Sequence, residues 1–194
     1  TPSDRDFAWA DVVMLIKRAG THWASAVHRA GKPLIWDVLD IWKQPSENTM
    51  TVAQGRGLVA EFRAAIRPTV MIAATQAMAE DIGGVYIPHH SRIGLVPTPP
   101  REAVRVVAYD GSPRYLGRYA PALAAACQRL GWTFVVNPPC LSEADLLVAF
   151  RDGEWDGPLC RRWKSGVKYT SATMTGRPIV TQDCAAWWEA SHAG

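Results

Sequence analysis

No apolar run approaches the ~20 residues that a membrane-spanning helix needs, and no basic-then-apolar secretory leader opens the chain. These absences predict a soluble, cytoplasmic protein with no membrane span. Cysteine is scarce: Cys127, Cys140, Cys160 and Cys184 stand far apart, form no C-x-x-C pair and match no zinc spacing. They read as reduced, mostly structural thiols rather than a disulfide framework. There is no G-x-G-x-x-G and no Walker lysine, which leaves dinucleotide and P-loop chemistry without support. No Asp-x-Asp falls in a loop suited to a metal, and no internal repeat or low-complexity tract is present. Strong charge of one sign is also missing. The formal net charge of +3 permits an anionic ligand without demanding nucleic acid, so where the cations sit matters more than their sum.

What is there is a globular composition, 48% apolar over 194 residues, enough for a sizeable core. Short apolar runs predict parallel strands covered on both faces. The first runs from Asp11 to Lys17. Thr21 is placed to cap a helix that stops at Gly31, and Pro33 to Val38 forms the second strand, completing a βαβ unit. A polar loop from Asp40 to Asn48, a helix to about Arg67, a strand over Thr69 to Ala74, a Thr75-capped helix ended by Gly83-Gly84, and a strand at Val85-Tyr86-Ile87 follow.

Pro88, Pro97, Pro99 and Pro100 then make the backbone extended and stiff, as a hinge between lobes would be. The pattern restarts with a strand over Val104 to Tyr109. A helix carrying Tyr115, Leu116, Tyr119, Leu123, Cys127 and Leu130 follows, and then strands at Trp132 to Val136, Asp145 to Phe150 and Pro178 to Thr181. A terminal helix holds Trp187 and Trp188. The fold class expected is α/β, two Rossmann-like lobes facing across a cleft: residues 1–90, a linker at 91–103, and residues 104–194.

The stretch from Asp145 to Gln182 carries the strongest chemical signal. A strand ends at Arg151, a cationic loop Arg161-Arg162-Trp163-Lys164 leads to a helix starting near a capping Ser165, and Lys168 lies in that helix's first turn. Between Asp156 and Asp183 there are five cations and no acid. Free N–H groups and the dipole of a helix start favour an anion, and a phosphate or diphosphate is the natural guest. The bland reading is a solvated charged face. The loop Tyr109-Asp110-Gly111-Ser112-Pro113-Arg114 sits at another strand's carboxyl end, where Gly111 lets backbone approach a phosphate; a plain Gly-Ser-Pro turn is the alternative. Asp37, Asp40 and His22 follow strands of the first half and are candidates for a general base, against the bland roles of caps and turns. His89 and His90 either line the cleft or make structural hydrogen bonds. Trp42 and Trp155 are placed in loops where they can stack on a sugar or base.

The order strand, Tyr-Asp-Gly-Ser, helix, Gly-Trp-Thr-Phe-Val-Val-Asn-Pro, Asp-Leu-Leu-Val-Ala-Phe-Arg, Trp-Lys-Ser-Gly-Val-Lys and Thr-Gly-Arg-Pro-Ile-Val resembles the donor lobe of GT-B-fold glycosyltransferases. The first half, with Lys-Pro-Leu-Ile-Trp-Asp-Val-Leu-Asp and Ile-Pro-His-His-Ser-Arg, is similar to their acceptor lobe and hinge. The resemblance implies a nucleotide sugar as co-substrate and no cofactor, and the cations together with the missing acidic metal motif lead us to expect metal-independent transfer. Its diphosphate would be held by Gly111, Ser112, Arg151, Lys164, Ser165 and Lys168, and its nucleoside would lie near Asn137 and Pro138. His89, His90 and Arg114 would line the cleft. Ser171 falls where the family commonly has a ribose-binding glutamate. The first lobe is reduced, lacking the Gly-rich strand-loop-helix that usually opens it. The small size resembles the phage enzymes that glycosylate hydroxymethylated bases in DNA, which makes DNA one acceptor class beside small molecules, lipids and proteins. The rival implication is a degenerate GT-B module that binds a nucleotide sugar without turnover.

Overall fold

The structure, a computed structural model, describes residues 3–18, 20–40 and 43–191. Its first part runs α1 (Asp4–Trp9), β1 (Val13–Ile16), α2 (Thr21–Arg29), β2 (Leu34–Leu39), α3 (Val52–Ile66), β3 (Val70–Ala73), α4 (Gln76–Ile82) and β4 (Val85–Tyr86). All four strands are parallel and lie in chain order, β1-β2-β3-β4. When parallel neighbours follow chain order, right-handed crossovers put every connecting helix on the same face. The core agrees. Ala24 and Val27 of α2, Val59 and Ile66 of α3, and Met78 and Ile82 of α4 close on Leu15, Leu34, Trp36, Val38, Met71 and Ala73. The opposite face leaves Met14 and Ile16 about half exposed, at 49% and 56%. Cover on both faces, as the apolar runs suggest, is therefore not found for this sheet, because chain order supplies helices to one side only.

The second part runs β5 (Val106–Tyr109), α5 (Tyr119–Arg129), β6 (Thr133–Val136), β7 (Leu146–Ala149), α6 (Pro158–Trp163), α7 (Val167–Thr175), β8 (Ile179–Thr181) and α8 (Ala185–Ser191). Its parallel sheet has the order β6-β5-β7-β8. After β6 the chain crosses back over β5 to lay down β7, so the winding reverses between β5 and β7. Cys127 of α5 packs with Val107, Tyr109 and Val148, whereas Ala172 of α7 packs with Ala108 and Leu147 on the other face. A crevice at the carboxyl ends of such a strand pair is where open α/β sheets bind ligands.

Several helix ends follow local chemistry. The Thr75 hydroxyl accepts from the Met78 N–H at 3.0 Å, and Gly83 takes the left-handed conformation that ends α4. Thr51 and Gln54 form a capping box for α3. Other ends differ from expectation. Thr21 lies inside α2, whose cap is Gly20. The helix expected from Tyr115 begins only at Tyr119, because a single 3-10 turn over Pro113–Tyr115 is followed by Gly117 with φ near 48°.

The largest departure is the supposed cationic loop. Arg161 to Trp163 belong to α6, started by Pro158 and anchored by Leu159, Cys160 and Trp163, which join the core of the first sheet. Ser165 caps nothing; α7 starts from Gly166 without a side-chain cap. Arg162 and the Trp163 indole N–H from α6, with Arg56 from α3, converge on Asp81 of α4, whose side chain is fully buried. Burial alone would raise that carboxyl, but hydrogen bonds from Arg162, Arg56 and Trp163 outweigh it and hold it down to about 2. The carboxylate of Glu189 on α8 accepts from the N–H groups of Gln76 and Ala77 at 2.7 and 2.9 Å, capping α4. Two helices of the second part thus close on the first.

The proline-rich segment is extended but tied down. Arg92 N–H donates to the Ser171 hydroxyl at 3.2 Å, and Thr98 N–H donates to the Thr175 carbonyl at 3.3 Å. Buried Arg177 donates to the Pro99 carbonyl, the Thr98 hydroxyl and the Ser142 carbonyl. Among the described residues, no helix is long and apolar enough to cross a membrane.

Candidate anion site at the ends of β5 and β7

Tyr109 ends β5, and Asp110-Gly111 turn away from it. Gly111 has φ of 148°, which favours glycine, and its N–H donates to the Asn137 side-chain oxygen at 2.7 Å. Asn137 is itself left-handed, with φ of 53°, so its carboxamide serves the loop. Directly over Gly111 lie two donors. A β-carbon there would come within 2.6 Å of Lys168 Nζ and 3.2 Å of Tyr109 Oη. Both atoms are buried, and neither has a hydrogen-bond partner. Buried polar groups without partners are rare, and two donors converging on one glycine form a place for an acceptor-rich ligand.

Lys168 occupies the first turn of α7, whose leading N–H groups have no helical partners. Its Nζ lies 4.1 Å from the centre of the Tyr109 ring. Burial drives the amine down to about 8, and Arg151, Lys164 and Arg92 push the same way, while Asp110 pulls it up. Asp110 is paired with Arg92 at 2.8 Å. Burial also pushes the Tyr109 phenol up to about 12, so it remains a donor. Arg151, after β7, is steadied by its N–H to Gln182, and its guanidinium reaches the Cys160 thiol at 3.2 Å. Two cavities of about 10 Å³ flank Lys168, one lined by Asp110 and Ser171 and the other by Arg151, Gln182 and Trp187.

The other four cations of the stretch are engaged. Arg161 pairs with Asp156, Arg162 with Asp81 and Lys164 with Asp40, and Arg177 binds carbonyls. Ser165 and Ser171 are both buried, and the Ser171 hydroxyl is already bound to the linker at Arg92. Ser112 begins the 3-10 turn without capping it, and Pro138 follows Asn137 half-buried. Arg114 is exposed, its guanidinium 4.8 Å from the Trp155 ring, which in turn packs against Tyr115 in a tilted arrangement with ring centres 4.7 Å apart. Trp42 lies outside the described residues.

A second group gathers at the end of β2. Asp40 is buried between Lys164 and Lys17, the latter at 3.3 Å. Asp37 accepts from the Leu39 N–H at 2.9 Å, and burial raises its carboxyl. Burial lowers the His89 imidazole and His90 adds to this, while Asp40 and Asp37 oppose it. His89 Nδ1 is buried without a partner. These two side chains and His90 border a cavity of about 320 Å³ whose floor is apolar, formed by Met14, Ile16, Ile72 and Ile87. Lys164 connects the two groups, since its charge acts on both His89 and Lys168. His22 stands apart, exposed and packed on Trp23 with ring centres 4.5 Å apart.

Tyr109 is the functional candidate that the sequence did not single out; its place one residue before Asp-Gly at a strand end was the available signal. Among the described residues, no three His, Cys, Asp or Glu side chains converge as a metal site would require. Comparison with protein-family models, with curated proteins and with solved structures returned no match to this chain.

Proposed function

We propose that the chain is a GT-B-type glycosyltransferase that moves a sugar from a nucleotide-diphosphate donor to an acceptor hydroxyl. In this reading residues 1–90 form the acceptor side, 91–103 the linker and 104–194 the donor side, as Rossmann-like lobes. The observation that carries it is the pair of unpartnered donors, Lys168 Nζ and Tyr109 Oη, over Gly111 where the second sheet reverses its winding. Glycosyl transfer builds negative charge on the departing diphosphate. Preorganised donors and cations beside it lower the barrier, and removal of one such donor typically costs about 10²–10³ in turnover. Arg151 and the first N–H groups of α7 belong to the same stabilising set.

On the acceptor side, Asp37 and His89 supply the base. A carboxyl raised and an imidazole lowered by burial lie closer in proton affinity than they would in water, which suits transfer of a proton from an acceptor hydroxyl. Asp40 is already neutralised by Lys164 and Lys17, and so positions rather than reacts. The acceptor class stays open among small molecules, lipids, proteins and hydroxymethylated DNA bases.

A second reading, a nucleotide-sugar-binding module without turnover, is favoured by Ser171: it stands where the family holds ribose with a glutamate, and it is buried against the linker. Incubation with a panel of nucleotide sugars separates the two. Slow release of free sugar, abolished in Lys168→Met, marks a transferase; saturable binding without release marks a module. Neither binding nor release would remove both readings.

A further inference from the structure

We propose that binding of a phosphate-class anion over Gly111 is coupled to proton uptake by Lys168, so that this site responds to pH through its own lysine. The inference rests on the reading of this pocket as an anion site. Lys168 Nζ is out of contact with water and has no hydrogen-bond acceptor. The Tyr109 ring beneath it favours a cation. Against that stand the lost hydration and the like charges of Arg151 at the end of β7, Lys164 between α6 and α7, and Arg92 on the linker. Asp110 is the acid acting on Lys168, and its carboxylate is shared with Arg92. Taken together, burial and like charge place the amine at about 8.

A phosphate reverses each of these conditions. It supplies acceptor oxygens to a group that has none, and its charge offsets the three neighbouring cations. The ammonium becomes the favoured form, and above pH 8 the proton must come from solvent. By linkage, affinity then weakens as pH rises above 8 through the range in which the unliganded lysine has lost its proton. Tyr109 does not interfere, because its phenol keeps its proton until about 12.

Inorganic phosphate is a suitable probe because it is predominantly the dianion from pH 8 to 10, so most of the proton exchange on binding belongs to the protein. In protein labelled with 13C-lysine, the Lys168 Cε signal, assigned by its absence in Lys168→Arg, reports the titration directly. Without phosphate, the midpoint is expected near 8. With saturating phosphate it moves upward, and phosphate affinity falls roughly tenfold between pH 8 and pH 9.5. Lys168→Arg, which keeps its charge throughout, binds without that fall. A midpoint unmoved by bound phosphate would overturn the coupling while leaving the anion site standing. Absence of any response to phosphate would overturn both.

Discussion

Removing the Lys168 charge should make the protein more stable. The folded chain holds this amine at about 8, whereas an exposed lysine ionises at 10.5. At pH 7 the folded state therefore carries a buried ammonium that the unfolded chain would rather hold in water, at a cost of up to about 3 kcal/mol. Met has a similar shape and no charge, so Lys168→Met should recover most of that amount. For a chain of this size, ~2–4 °C per kcal/mol implies a rise in Tm of roughly 6–12 °C. Between pH 8 and 10.5 the unfolded chain keeps a proton that the folded chain has released, so wild-type stability climbs with pH and the gap to the variant closes. Urea melts of both proteins at pH 7 and pH 10.5, without phosphate, measure this. A variant less stable than wild type at pH 7, or an equal difference at both pH values, would refute the reasoning.

Asp81→Asn should destabilise by about 2 kcal/mol in chemical denaturation, the linkage value of a carboxylate held at about 2 rather than 3.8, because the partly exposed Arg56 and Arg162 lose their buried anionic partner. The wild-type carboxylate, held at about 2, contributes about 2 kcal/mol that is present above 3.8 and lost as pH falls toward 2, and the variant should lack that acid-limb slope. Gly157→Ala should unfold the contact between α6 and the loop at Asn48, because a β-carbon there would lie 2.3 Å from the Asn48 carbonyl oxygen; proteolysis within residues 43–50 should accelerate. If DNA is the acceptor, duplex retention at ~50 mM salt should collapse by ~200 mM; no retention at low salt would remove DNA and leave the transferase reading intact.

Elements whose causes are local were legible in the sequence. The Thr75 cap and Gly83 terminus of α4 act within a few residues, and the short apolar strands were located to within two residues at each end. Parallel pairing followed from the spacing of strands and helices. What escaped depends on partners far along the chain. Arg161 to Trp163 resembled a cationic loop because the reason for their helicity, burial of Leu159 and Trp163 against α3 and the claim of Asp81 on Arg162, comes from residues far back along the chain. Lys164 counted as a free cation until Asp40, 124 residues distant, took it. The one-sided cover of the first sheet was hidden for a related reason: strand order decides which face receives helices, and a list of apolar runs does not contain strand order.

The central claim is that Lys168, Tyr109 and Gly111 form the seat of a diphosphate. Titration of 15N-labelled protein with uridine diphosphate tests it most directly. The account predicts saturable shifts concentrated on the amides of Gly111, Asn137, Val167 and Lys168, absent in Lys168→Met and in Gly111→Val. Those amides unmoved while others respond, or undiminished binding in both variants, would contradict it.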